Sequence, residues 1–85
     1  MTYRILFTRR ANKDYETLSE AVKPRILAAL DEIARAPFKE GKPLKGEMKG
    51  CFSHRMGNYR IVYQIQAKQI VVLVLTIAHR KEVYR

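Results

Sequence analysis

The sequence predicts an α+β fold in which two N-terminal antiparallel helices pack on a small, mainly antiparallel sheet. The first half of the chain repeats apolar residues at helical spacing, whereas the second half alternates or runs apolar as strands do. Only 4 Gly and 3 Pro interrupt the 85 residues, which argues against disorder. We therefore expect the element order β-α-α-β-β-β in a single domain over residues 1–85.

The N-terminal half is predicted to hold one strand and both helices. Residues 3–8 alternate like a half-buried strand, and residues 9–18 then follow helical spacing. A second helix is expected over residues 20–35, with Pro24 in the first turn, where its missing N–H costs nothing. Pro37 is expected to end this helix, because the residue before a proline avoids the helical region.

Residues 38–49 form the least regular stretch and contain four lysines. These are Lys39, Lys42, Lys45 and Lys49. A basic loop is predicted here, with a strand starting near residues 43–45 as an alternative.

The remaining chain is predicted to form a three-stranded meander over residues 51–56, 59–66 and 69–78. Gly57-Asn58 is a typical two-residue hairpin turn, and Ala67-Lys68 is a weaker candidate for the next turn. The unbroken apolar run over residues 70–75 indicates burial on both faces, and hence a central strand.

The predicted hairpin places two arginines directly opposite each other. With Gly57 and Asn58 as the turn residues, Arg55 faces Arg60, and Ser53 and Val62 share their side of the sheet. Two opposed arginines are unfavourable without a counter-ion, whereas a phosphate between them would accept paired hydrogen bonds from both. The alternative is that both arginines extend into water or pair with Glu32 or Glu47.

Seventeen Lys and Arg against eight Asp and Glu give a net charge of +9, which predicts a polyanionic or acidic partner. A merely solvated basic surface is the alternative. Charge begins at Arg4 and no long apolar run follows, so we expect no signal peptide, no membrane partner and a cytoplasmic protein. The lone Cys51 is expected to be a small core residue.

Two histidines invite comparison with ribonucleases, but their positions do not support such a pair. His54 is expected to point away from the arginine face and to pack under the sheet or near the helices. His79 opens a C-terminal run that also contains Arg80 and Tyr84, a combination suited to stacking on an unpaired base. A frayed tail is an equal alternative.

Three stretches closely resemble the RelE branch of the RelE/ParE toxin superfamily. They are Leu44-Lys45-Gly46, residues 51–63 (CFSHRMGNYRIVY) and residues 77–84 (IAHRKEVY). The resemblance covers essentially the whole chain and implies a RelE-like, microbial-RNase-type fold. It also implies a toxin that enters the 30S ribosomal A site and cuts mRNA by 2′-hydroxyl attack, without metal or cofactor. An acidic, RelB-like antitoxin would block it.

The resemblance also assigns roles by position. The catalytic residues would be Arg55, Arg60, Arg80 and Tyr84. The RNA-binding residues would be Lys45, Lys49, Ser53, His79 and Lys81.

One departure from the family concerns Ser53, which stands where the best-studied branch has a lysine two positions before the Arg55 equivalent. A serine hydroxyl cannot supply that charge, so Tyr84 and then His79 become the candidates for accepting the proton. Two alternatives therefore stay open. One is a ParE-like DNA gyrase inhibitor, and the other is an inactivated toxin that only binds RNA.

Overall fold

The structure, a computed structural model, describes residues 2–79 and confirms the α+β fold. In chain order the elements are β1 (Arg4–Phe7), α1 (Arg9–Glu16), α2 (Lys23–Arg35), α3 (Pro37–Glu40), β2 (Lys42–Pro43), β3 (Cys51–Met56), β4 (Tyr59–Gln66) and β5 (Val71–His79). A 3₁₀ turn at Gly46–Met48 lies between β2 and β3. The strands form one sheet in the order β1-β5-β4-β3-β2. Only the β1–β5 pair among these strands is parallel, so the predicted mainly antiparallel sheet is confirmed.

Helix α1 begins after Thr8, whose hydroxyl oxygen accepts a hydrogen bond from the Ala11 N–H at 3.1 Å. This is a standard N-cap, and the same hydroxyl donates to the Leu75 carbonyl of β5 at 2.9 Å. The helix ends at Glu16, two residues earlier than predicted, where the Thr17 N–H still bonds the Lys13 carbonyl. The cap therefore also fixes α1 against β5.

Helix α2 supplies the helical side of the core. It begins at Lys23 rather than at residue 20, because the Ser19 carbonyl first accepts the N–H groups of Val22 and Lys23 in a separate turn. Pro24 lies in its first turn, as predicted. Its buried residues are Ile26, Ala29, Leu30, Ile33 and Ala34.

The core lies between α2, α1 and one face of the sheet. The strands contribute Ile61, Tyr63, Val72, Val74 and Ile77 to it. Burial of each large aliphatic side chain stabilises the fold by about 1.5–3 kcal/mol. Cys51 is also buried, as predicted, at 9% exposure.

Strand β5 lies between β1 and β4, which confirms its predicted interior position. It begins at Val71 rather than at residue 69, since the turn after β4 has four residues instead of the predicted two, Ala67 and Lys68. Ile70 closes this turn with a φ of 56°, and its carbonyl accepts the Arg4 N–H at 2.9 Å. The longer turn therefore connects to the parallel strand β1.

The structure corrects the predicted basic loop over residues 38–49. Pro37 ends α2 as expected, but it also begins α3, in which the N–H groups of Lys39 and Glu40 both bond the Ala36 carbonyl. Proline favours such a first turn, because it needs no N–H partner there. Strand β2 then forms one residue earlier than the alternative strand near residues 43–45, and it pairs with β3 at the edge of the sheet.

Candidate anion-binding groove

The arginine pair lies where the hairpin prediction put it. Arg55 is directly opposite Arg60 in the antiparallel β3–β4 pair, and the turn between the strands is Gly57-Asn58. Gly57 has a φ of 58°, a conformation that L side chains rarely adopt and that this turn requires. The register of β3 against β4 is unbroken from Cys51 to Met56. No bulge therefore intervenes, and both arginine side chains lie on the same face of the sheet.

The two arginines differ in their surroundings. Arg55 is exposed, whereas Arg60 is partly buried. Among residues 2–79, no carboxylate lies within ion-pair distance of Arg55. The alternative of an ion pair with Glu32 or Glu47 is therefore not realised for Arg55, and its donors can meet an external anion.

A groove of about 470 Å³ lies beside this pair. Its lining residues are Lys39, Glu40, Gly41, Lys42, Pro43, Leu44, Ser53, His54, Arg55 and Arg60. Four of these residues are cationic at neutral pH and one is acidic, so the groove attracts anions. We call it the cationic groove.

Lys39 and Lys42 are the groove residues that the sequence did not single out among its lysines. They enter the groove because α3 and β2 carry the segment along the edge of β3, where Lys42 is directly opposite Ser53. A two-residue strand leaves almost no periodic signal in a sequence. The sequence indicated this edge only through the alternative of a strand near residues 43–45.

His54 faces the helix side of the sheet, as predicted. Its Nδ1 lies 2.7 Å from the Glu40 carbonyl oxygen, which can only accept, so the proton is on Nδ1. The imidazole therefore ties β3 to the end of α3 and does not point towards the arginine pair.

His79 also lies away from the arginine face. It is opposite Tyr59, and the two rings make an edge-on contact with centroids 5.2 Å apart. Both line a second cavity, of about 310 Å³, next to Asp14 of α1. Asp14 accepts hydrogen bonds from the Thr76 hydroxyl at 2.7 Å and the Ile77 N–H at 3.0 Å, so α1 is fixed to β5 here.

The other predicted site residues fall outside the groove or outside the described residues. Lys45 and Lys49 flank the 3₁₀ turn, are exposed and do not line the groove. Contact of these two lysines with RNA stays a prediction. Arg80, Lys81 and Tyr84 lie outside the described residues 2–79.

Tyr63 supports the groove from below. Its hydroxyl donates to the Pro37 carbonyl at 2.7 Å, and its ring stacks on Phe52 with centroids 5.8 Å apart. Burial, and then the nearby Glu40 carboxylate, raise the pKa of Tyr63 to about 12. This phenol is therefore a structural donor that holds the start of α3.

Within residues 2–79, no three His, Cys, Asp or Glu side chains are grouped as metal ligands would be. No helix in the same range is long and apolar enough to cross a membrane.

The fold and the groove together define a small α+β protein with an anion-attracting surface beside β2, β3 and β4. Residues 5–84 match the family described as the ParE toxin of type II toxin–antitoxin systems. The chain is 41% identical to Toxin RelG of Mycobacterium tuberculosis, over 100% of this chain and 99% of that protein. It is 32% identical to the mRNA interferase toxin RelE of Escherichia coli, over 99% and 92%.

Solved structures agree with these relatives. The RelBE2 toxin–antitoxin complex of Mycobacterium tuberculosis contains a chain that is 38% identical, with a TM-score of 0.79 over 94% of this chain and 100% of that one. The intact RelBE complex of Escherichia coli gives 29% identity and a TM-score of 0.80 over 91% and 95%. The protein described here therefore belongs to the RelE/ParE superfamily of type II toxin–antitoxin toxins.

Proposed function

We propose that this toxin is an mRNA interferase that cuts mRNA in the ribosomal A site, with the cationic groove holding the RNA backbone. The observation that carries the proposal is the opposed pair Arg55 and Arg60, which is costly without a counter-ion and favourable with a phosphate. Relatives at 32% identity that are named mRNA interferases support the same activity.

The proposed reaction is an internal transesterification. The 2′-hydroxyl loses its proton and attacks the adjacent phosphorus, and the bond from phosphorus to the 5′-oxygen of the next nucleotide breaks. The products are a 2′,3′-cyclic phosphate and a 5′-hydroxyl, once the leaving oxygen has gained a proton. No oxidant, reductant or cofactor is needed to balance this step.

In this reaction, negative charge builds up on the non-bridging phosphate oxygens. Arg55 and Arg60 would stabilise that charge, because guanidinium groups donate paired hydrogen bonds and stay charged. Arg80 would donate a hydrogen bond to the leaving oxygen and stabilise the charge that develops there. Tyr84 would orient the nucleotide or accept the 2′-hydroxyl proton. His79, the second candidate from the sequence, lies on the other face of the sheet from the arginine pair and is not proposed for that role.

The inhibiting partner would be an acidic antitoxin. A net charge of +9 favours such a partner, and chains similar to this one occur in toxin–antitoxin complexes. An antitoxin segment that neutralised the cationic groove would prevent RNA from entering it.

Arg60→Ala is the decisive change for this proposal. We expect it to lower the rate of ribosome-dependent mRNA cleavage about 100-fold or more, because one preorganised donor group facing the developing charge is lost. Primer extension on mRNA in a translating extract measures the cuts directly. Circular dichroism should report an unchanged fold.

Arg9→Ala is the matched control, since Arg9 is exposed and begins α1 outside the groove. Equal cleavage by the two variants would rule out the arginine pair as the site. Intact mRNA with trapped, cleaved DNA would instead support DNA gyrase as the target, a second candidate favoured by the ParE description of the matching family.

A further inference from the structure

Lys42 lies next to Ser53, the uncharged residue that stands where the best-studied branch of the family has a lysine. Lys42 on β2 is directly opposite Ser53 on β3, and Ser53 is directly opposite Val62 on β4. Paired residues on neighbouring strands share a face of the sheet. Lys42 therefore lies on the same face as Arg55 and Arg60, which flank Ser53 and Val62 by two positions.

The small side chain of Ser53 leaves room for the lysine to cross it. Side chains of directly opposed residues start about 4.5–5.5 Å apart, and diagonal neighbours such as Lys42 and Arg55 are about 7–8 Å apart. The four-carbon stem of Lys42 can thus lie over Ser53 with its ammonium directed towards the arginine pair.

The charge of Lys42 is available to a ligand. Among residues 2–79, no carboxylate lies within ion-pair distance of its ammonium. Glu40 is the only acidic residue lining the groove within that range, and it reaches His54 through its backbone carbonyl.

We propose that Lys42 is a further RNA-binding residue, whose ammonium reaches across Ser53 and binds the RNA backbone beside Arg55 and Arg60. The inference rests on the proposed function and deepens it. Lys42, Ser53 and Val62 lie side by side across β2, β3 and β4. Among these three residues, the positive charge comes from Lys42 on the edge strand β2 and not from position 53 on β3.

The test compares Lys42→Gln with Lys68→Gln. Both changes remove one exposed positive charge, but Lys68 lies in the turn beyond the far end of β4. The last residue of that strand, Gln66, is already about 20 Å from Arg60 at roughly 3.4 Å per strand residue. We expect Lys42→Gln to lower the single-turnover rate of mRNA cleavage about 10-fold, the size of one charge-assisted contact, and Lys68→Gln to leave it unchanged.

Moving the charge separates binding from a structural role. Ser53→Lys added to Lys42→Gln should recover most of the lost rate, since it places an ammonium on the neighbouring strand, directly opposite position 42. Ser53→Gln in the same background should recover nothing. If Lys42→Gln cleaves as fast as Lys68→Gln, or if Ser53→Lys gives no recovery, Lys42 does not bind the RNA backbone.

A binding measurement keeps the two proposals distinguishable. Fluorescence anisotropy with a labelled single-stranded RNA oligonucleotide should show weaker binding by Lys42→Gln than by Lys68→Gln. If the unaltered protein makes no ribosome-dependent cuts but this difference persists, cleavage fails and the role of Lys42 stands. Equal affinities of the two variants would overturn the role of Lys42, whether or not the unaltered protein cuts mRNA.

Discussion

Tyr63 connects the core of this toxin to its groove. The side chain is fully buried, yet its hydroxyl donates to the Pro37 carbonyl and thereby holds the first residue of α3. The segment that follows carries Lys39 and Lys42. The position of two groove cations thus depends on a phenol that does not itself line the groove.

Removal of this hydroxyl should weaken the fold. Tyr63→Phe leaves the Pro37 carbonyl buried without its donor, and we expect the free energy of unfolding to fall by about 1–2 kcal/mol. For a domain of this size, each 1 kcal/mol lowers the melting temperature by about 4–8 °C. Tyr15→Phe is the matched control for thermal denaturation, since among residues 2–79 no hydrogen bond involves the Tyr15 hydroxyl. Equal melting temperatures for the two variants would argue against this contribution.

The same variant should alter the alkaline limb of the stability curve. The folded state holds the Tyr63 proton more tightly than the unfolded chain, because burial raises its pKa from 10.0 to about 12. The contribution is therefore complete below pH 10 and is lost as pH rises from about 10 to about 12. Urea unfolding across this range should decline less steeply for Tyr63→Phe, and parallel curves would contradict the assignment.

At the scale of elements, the connection between α3 and β2 passes through Gly41, whose backbone lies close against the side chains of Tyr63 and Phe52. A Cβ added at Gly41 would overlap the Tyr63 hydroxyl and lie 3.2 Å from the Phe52 Cβ. Only glycine therefore fits between the end of α3 and the ring pair beneath it.

Gly41→Ala should consequently destabilise the protein by about 1–3 kcal/mol, because overpacking forces the segment away from β3. In a double-mutant cycle measured by urea denaturation, Tyr63→Phe should relieve part of this cost, since it removes the atom that meets the new methyl group. The relief should be incomplete, because phenylalanine keeps the ring Cζ, which lies 2.9 Å from the added Cβ, and the Phe52 Cβ stays at 3.2 Å. Strict additivity of the two changes would show that they do not meet.

The same two elements mark the limit of prediction from sequence. The hairpin was predictable because Gly57-Asn58 is a local turn signal that sets the register of Arg55 and Arg60. By contrast, α3 and β2 each span four residues or fewer, so no periodicity reveals them. Pro43 suggests only an edge position. Lys42 lies in the groove because β2 pairs with β3 and places Lys42 opposite Ser53. The family resemblance aligns Ser53 with a lysine and therefore does not predict that Lys42 lies there.

At the scale of the whole molecule, the net charge of +9 and the groove make different predictions for RNA binding. Long-range attraction depends on total charge, whereas counterion release depends on how many phosphates are neutralised. Lys39 and Lys42 line the groove, while Lys13 and Lys68 are exposed elsewhere. Variants with equal total charge can therefore separate the two effects.

We expect the double change Lys39→Gln and Lys42→Gln to make the salt dependence of single-stranded RNA binding shallower by about 1.4 in the log–log slope, at roughly 0.7 per phosphate. The double change Lys13→Gln and Lys68→Gln should leave that slope unchanged. Anisotropy titrations at several salt concentrations measure both. Identical slopes for the two double variants would mean that RNA responds to total charge rather than to the groove.

The pairing of β1 with β5 has a consequence for the synthesis of this toxin. Arg4 is paired with Val71, so the partner of β1 is synthesised 67 residues later in the chain. At 5–20 residues per second, translation separates the two strands by about 3–13 s. During that interval β1 has no neighbour and the core lacks Val72 and Val74. A nascent chain therefore cannot complete this sheet until β5 has left the ribosome that makes it.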